Sequence, residues 1–318
     1  MQRGGLFLVF LLLLCARDSS ASSAPPSVAL ATEAGAVPPS WEEAANARYA
    51  GPMGMAFELV SGEWSGQPYV EGGASAPRAG LARDFLLTGD LDADGAAESV
   101  VLLWTSTGGS GTFDYLAVVE RRPDGTVAER ASAELGDRVH IRDARIEDGQ
   151  VVLDTVQAGP GDAMCCPGQL MRRAFALEGD VMTEVSTEDR GRLSLADLDG
   201  DWVLLELGRE TLPENVRITA RFDNGTLTGT AACNAYNGRV KAGDAPGDLA
   251  LAGPLAVTRK MCPPPRMEWE QRYLRALAGL SKFSFTAGRL VLTATGEEEG
   301  PQTLRFGTAK PAIPEAGE

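Results

Sequence analysis

Short apolar runs broken by turn dipeptides recur along most of this chain, and that alternation restricts the fold more than any other feature. Ala56-Phe57-Glu58-Leu59-Val60 alternates with the period of a half-buried strand. Glu98-Ser99-Val100-Val101-Leu102-Leu103-Trp104 and Tyr115-Leu116-Ala117-Val118-Val119 flank the Gly-rich segment Thr107–Thr112 and read as a hairpin. Further strands are expected over Val139–Ile146 and Val151–Val156, joined through Asp148-Gly149, and over Arg172–Leu177. Downstream the pattern continues from Trp202-Val203-Leu204-Leu205 through Val216–Phe222, a turn at Asn224-Gly225, Leu227–Ala231, Leu249–Leu251 and Leu255–Thr258. Phe283-Ser284-Phe285, Leu290–Leu292 and Thr303–Phe306 supply closing strands. Apart from a short helix expected over Trp41–Ala47, helical spacing belongs to Met267–Leu280, where Tyr273, Leu274, Leu277 and Leu280 recur every three or four residues. The expected fold class is therefore α+β and β-rich: two domains, each mainly antiparallel sheet, the C-terminal one with a single helix packed on its sheet.

With 318 residues, 44% of them apolar, the chain has material for two ordinary cores. A formal net charge of −15 repels phosphate backbones, and the basic residues come as pairs (Arg121-Arg122, Arg172-Arg173, Arg259-Lys260), so no nucleic-acid partner is expected. Residues 1–24 read as a signal peptide: Arg3, an apolar run Leu6–Leu14 too short to span a bilayer, then small residues that offer cleavage after Ala21 or Ala24. Cys15 is a lipidation candidate, although Leu14 stands where a lipobox carries Gly, Ala or Ser, and any membrane contact is expected through that anchor. The expected organisation is a linker over residues 25–45, a β-rich domain over 46–188, a polar separator Ser186–Gly191, a second domain over 192–309 and a tail from 310 to 318.

The most chemical segment is Asp90-Leu91-Asp92-Ala93-Asp94-Gly95-Ala96-Ala97-Glu98. Carboxylates at Asp90, Asp92, Asp94 and Glu98, with the carbonyl of Ala96 and a sharp turn at Gly95, are the donor set of a Ca²⁺ loop. Val101 occupies the place of the last EF-hand ligand and a strand follows instead of a helix, so the expectation is a shorter calcium turn opening a hairpin, with a solvated acidic turn as the alternative. Four cysteines follow the signal segment. The connectivity that respects the two domains pairs Cys233 with Cys262 and leaves Cys165 beside Cys166, as a strained vicinal ring or as two thiols. Gly108-Gly109-Ser110-Gly111-Thr112 lacks the second glycine and the following helix of a nucleophile elbow, and His140 is the chain's one histidine. Glu268, Glu270 and Arg272 are expected on a solvated helix face, with a carboxylate pair for acid–base work as the alternative.

In the C-terminal third, Gly200-Asp201-Trp202-Val203-Leu204, Gly229–Gly238 with its Cys233-Asn234-Ala235-Tyr236-Asn237-Gly238 core, Thr258-Arg259-Lys260-Met261-Cys262, Glu270 and Leu290-Val291-Leu292 occur in an order that resembles the META/HslJ family over about residues 197–308. Ala232 replaces the glycine usual before Cys-Asn in that family. The preceding half, with Gly89–Gly95, Gly108–Phe113 and Met164–Pro167, resembles a segment often found before META domains in exported bacterial proteins. The resemblance implies an envelope role related to stress and carries no catalytic residues. The expected function is thus an exported, periplasmic or envelope protein that binds or stabilises an envelope protein or ligand, without catalysis; a hydrolytic or redox enzyme using the acidic loop or the cysteines is the competing expectation.

Overall fold

Residues 37–51, 54–163, 165–296 and 300–309 are described by the computed structural model; the expected signal peptide, Cys15, the start of the linker and the tail from 310 lie outside them. The described residues build three sheets, antiparallel except where Arg48 pairs with Ala128 in parallel. Their strands follow the helix Trp41–Ala44 (α1). Arg48–Tyr49 (β1), Phe57–Glu58 (β2), Glu63–Ser65 (β3), Arg78–Gly89 (β4), Glu98–Ser106 (β5), Phe113–Arg121 (β6) and Val127–Asp137 (β7) form the first sheet, in the order β2-β1-β7-β6-β5-β4-β3. His140–Glu147 (β8), Gln150–Gln157 (β9), Gln169–Glu178 (β10) and Val181–Arg192 (β11) form a four-stranded meander.

The continuous apolar run of β5 has a direct cause: its sheet is covered on both faces. Val100, Leu102, Leu116 and Val118 meet Ile141, Leu153 and Phe175 of the meander, making a two-sheet sandwich. On the opposite face Val101, Leu103, Ala117 and Val119 are covered by Ala44, Ala45, Tyr49 and Leu59. Residues 37–45, expected as the end of a linker, therefore pack on the first sheet and supply Ala44 and Ala45 to its core. Ser40 caps α1 with Glu43 in a capping box, Trp41 Nε1 donates to Ala82 O at 3.1 Å, and Ser99 Oγ donates to Pro39 O at 2.6 Å.

The polar stretch Ser186–Gly191 is a second correction. It is strand: β11 pairs with β10 from Glu178↔Val181 to Gln169↔Arg192. Backbone pairing sets this segment and not side-chain burial, since nearly every residue of β11 is exposed. Its Glu and Arg side chains are what a free sheet edge uses to discourage pairing with other chains.

The third sheet holds Gly200–Leu207 (β12), Glu210–Thr211 (β13), Ile218–Asp223 (β14), Thr226–Ala231 (β15), Asn234–Ala242 (β16), Leu249–Leu251 (β17), Ala256–Val257 (β18), Leu280–Thr286 (β19), Arg289–Gly296 (β20) and Gly300–Thr308 (β21). Its order is β17-β16-β15-β14-β12-β21-β20-β19, and a bridge between Asp248 and Lys282 brings its two ends together, so the sheet curls toward closure. The expected helix is Pro264–Ala278 (α2). Prolines at its start lack only N–H groups that a helix leaves orphaned anyway, and Gly279 ends it where a Cβ would meet Thr295 O at 2.3 Å. Tyr273, Ala276 and Leu277 enter the same core as Trp202, Phe222 and Phe306. Val156 and Leu170 of the meander join that core as well, and the described residues form one compact unit.

Candidate functional site

Glu270 corrects the solvated-face expectation. It is 5% exposed, and its carboxylate accepts N–H from Cys233 at 3.3 Å, from Asn234 at 2.7 Å and from the Asn234 side chain at 2.9 Å. Asn234 extends the network: its Oδ1 accepts Thr258 Oγ1 at 2.8 Å and Lys260 N at 2.6 Å, and its Nδ2 also donates to Lys260 O at 3.2 Å. Behind it the Tyr236 and Tyr273 hydroxyls meet at 2.7 Å, and Tyr236 donates to Thr219 O at 2.9 Å. Burial pushes the Tyr236 phenol well above its ordinary range, so both hydroxyls stay protonated. Gly229 is required beside this pair, since a Cβ there would lie 2.0 Å from Thr219 O. The Cys233–Cys262 disulfide ties the two motif segments together, with Cα atoms 6.0 Å apart. A carboxylate that accepts three N–H groups in a buried site fixes a loop; it has little left with which to react. Helical phase contains the signal that places Glu270 here: it precedes Tyr273 by three residues and Leu277 by seven, on the buried stripe. Glu268 and Arg272 do lie outside that network. Arg272 stacks 4.5 Å over Trp269 and pairs with Glu210 at 2.8 Å.

At the acidic turn between β4 and β5, ligand-type oxygens of Asp90, Asp92 and Glu98 lie within 4.8 Å of one another. Asp94 stands outside that group, its Oδ1 accepting Ala96 N at 2.7 Å. Gly95, with φ of 90°, makes the sharp turn, and its N–H donates to Asp90 at 3.1 Å. Sequence reading missed Arg130, which reaches across from β7 to Asp92 at 2.7 Å and lies 3.8 Å from Glu98. Its guanidinium holds the Asp92 carboxyl below the usual range, whereas burial pushes Glu98 up. An Arg two strands away in the sheet leaves no local pattern by which to find it.

The remaining predicted groups are dispersed. Ser110 sits in the β5–β6 loop between two strands, where Arg138 donates to its carbonyl. His140 begins β8 opposite Val156, and burial lowers its pKa. Among the described residues, neither His140 nor a cysteine joins the carboxylate group of the acidic turn. Cys165 and Cys166 are free thiols in the β9–β10 loop. A groove of about 650 Å³ lies where the meander meets the third sheet, with Leu170, Trp202 and Phe285 in its lining and Arg142, Arg172 and Asp201 among its charged residues. These charges are matched: Arg142 pairs with Asp197, Arg172 with Asp154 and Asp201 with Arg221.

An NMR structure of a protein from Burkholderia xenovorans is similar to the chain at 23% identity, over 36% of this chain and 86% of that one, with a TM-score of 0.30. No curated protein matches the chain. The META domain family model matches residues 194–310, the stretch that contains β12–β21, α2, the disulfide and the Glu270 network. Residues 194–310 of this chain are a META domain.

Proposed function

We propose that the chain is an exported, non-enzymatic envelope protein, used under stress, that binds or stabilises another envelope component. The observation that carries this reading is the inward use of the META motif's polar atoms. Glu270, Asn234, Thr258, Tyr236 and Tyr273 satisfy one another and nearby backbone, so they build a rigid scaffold and present no reacting group to a cleft. The groove between meander and third sheet supplies a contact surface of mixed lining, with Leu170, Trp202 and Phe285 among charges that are mostly paired, suited to binding without chemistry.

Two measurements test it. Fusing residues 1–45 to alkaline phosphatase should give activity outside the cytoplasm; an inactive fusion sinks the export half. A photo-crosslinking residue at Met171 or Thr308, both lining the groove, should yield a discrete adduct in intact cells, and one at exposed Glu178 should not. Equal adducts at all three positions, or none, would refute binding at the groove. A hydrolytic enzyme built on the acidic turn would instead need it to work with His140 or a cysteine, and among the described residues its oxygens converge with neither.

A calcium-stapled turn is a second reading, favoured by the convergence of Asp90, Asp92 and Glu98. Because Arg130 already neutralises Asp92, the expected dissociation constant is weak, about 10⁻⁴–10⁻³ M. Calorimetric titration of Ca²⁺ should show saturable heat that Asp92→Ala abolishes, and an unchanged melting temperature at millimolar Ca²⁺ would return the loop to an ordinary acidic turn.

A further inference from the structure

The β9–β10 loop carries Cys165 and Cys166 and is closed by Asp162. Oδ2 of that residue accepts N–H from Gly159 and Gly168, each at 2.9 Å, and from Arg192 Nη1 at 2.9 Å. These three donors, Arg192 foremost, hold the Asp162 carboxyl far below the usual range. Cys166 N donates to Ala163 O at 2.8 Å and Leu193 N to Gly168 O at 2.8 Å, so the cysteines ride on a braced turn. Their Sγ atoms are 2.8 Å apart. From β19, on the far side of the META boundary, Lys282 Nζ reaches Cys166 Sγ at 3.3 Å. Among the described residues, Asp248, 3.9 Å from Lys282 Nζ, is the other charged group that acts on the pair.

The two sulfurs are thus chemically unequal. Cys166 is held down by the Cys165 S–H and then by the Lys282 ammonium, with Asp248 opposing, whereas the hydrogen bond it gives to Cys166 pushes Cys165 up. A thiolate next to Lys and within reach of solvent is the arrangement that makes a cysteine nucleophilic. The neighbouring thiol, exposed and in sulfur contact, is placed to resolve whatever forms on it.

We propose that Cys165-Cys166 is a stoichiometric modification site for low-molecular-weight disulfides, with Cys166 as the attacking sulfur, Cys165 as the resolving one and Lys282 as its positioning residue. The Cys166 thiolate attacks one sulfur of the disulfide, forming a mixed disulfide and releasing one thiolate. Cys165 gives its proton to solvent and attacks Cys166 Sγ, which expels the second thiolate and closes a vicinal ring. Two protein thiols are oxidised by two electrons, and one disulfide is reduced to two thiols. A vicinal ring is strained, so the product is open to reduction by the reverse exchange, unlike Cys233–Cys262. This inference is independent of the binding reading above, since it uses neither the groove nor the Glu270 network.

The test uses glutathione disulfide on the full chain carrying Cys15→Ser, with intact-mass readout at neutral pH. The parent should lose two hydrogens without retaining glutathione. Added Cys165→Ser should trap one glutathione on Cys166, and Cys166→Ser should react at Cys165 at least about tenfold more slowly. In the Cys165→Ser background, Lys282→Gln should slow the reaction about three- to tenfold and raise the midpoint of the alkylation rate against pH, while Lys282→Arg keeps both near the starting values. Equal rates in the two single-cysteine chains, or a parent that retains glutathione without closing the ring, would overturn the proposal. A midpoint that Lys282→Gln leaves in place would remove the lysine from it.

Discussion

Glu98 in the N-terminal half and Glu270 in the META domain are buried to almost the same degree, 4% and 5% exposed, yet their surroundings differ in kind. Glu270 accepts three N–H groups from one tight segment. Glu98 accepts the Leu91 N–H at 2.9 Å among the described residues and faces Arg130 at 3.8 Å, beside Asp92 and Asp94, whose charges raise its pKa further. Asp114 resembles Glu98: one backbone donor, Val139 N at 2.9 Å, and burial that pushes its pKa to about 7. Burial alone therefore does not say what a carboxylate is for. The number of donors aimed at it separates a structural anchor from a group whose charge is costly to keep.

The largest expected effect comes from Glu270→Ala, which leaves the buried backbone and side-chain N–H groups of Asn234 without that acceptor, while Cys233 N keeps Ala231 O at 2.8 Å, and should cost about 3–5 kcal/mol in urea denaturation. Glu98→Ala should cost less than half of that; equal losses would break the comparison. Replacing Cys233 and Cys262 by Ser frees a loop with a sequence separation of 29, for an expected loss of about 3–4 kcal/mol. If the Glu270 network holds the motif without the disulfide, the doubly substituted chain should still unfold cooperatively, and a broad transition would show that the network depends on it.

Asp114 sharpens the contrast through pH. Its folded pKa, about 7, lies above the ordinary 3.8, so the folded state keeps a proton that the unfolded state has lost. The resulting stabilisation is fully present below about pH 4 and is lost as pH rises through about 7, by up to about 4 kcal/mol. Asp114→Asn should flatten that fall in denaturation midpoints measured from pH 4 to 8. A slope unchanged in the variant would assign the pH dependence to other groups. The smallest effect is expected at Ala232, held at φ of 67° immediately before Cys233. Ala232→Gly should stabilise the chain by about 0.5–1 kcal/mol, since a Cβ is disfavoured in that region. Loss of stability would mean that the methyl group packs better than its backbone strain costs.

Most strands were legible where apolar residues alternate or run together, as in β5, β6, β8, β9 and β10. Asp148-Gly149 and Asn224-Gly225 marked their hairpins because both residues of each turn take positive φ. Four of the longer strands were not legible. β4 mixes Arg and Gly with its apolar residues, β7 reads Ala-Glu-Arg-Ala-Ser-Ala-Glu, which has no strand propensity of its own, β11 is polar and exposed, and β16 opens on Asn-Ala-Tyr-Asn-Gly. All four are ordered by pairing with a neighbour that the sequence does not name. The carboxylates of the acidic turn could be listed from spacing, and the cysteine pairing from the division of the chain into two halves. Arg130 beside that turn and Lys282 beside Cys166 could not, because each arrives from a strand distant in the chain.

Local chemistry accordingly determined the β-rich class, the hairpin turns, the helix and the META motif, since these depend on periodicity, turn φ and residue order within a few positions. Tertiary structure alone decided which side chains share a site: that Glu270 answers Asn234, that Arg130 neutralises Asp92, and that a lysine from the META domain meets a thiol from the preceding half. Such meetings follow from sheet order and from the packing of Val156 and Leu170 into the C-terminal core, which depend on the free energy of the whole fold and leave no local trace.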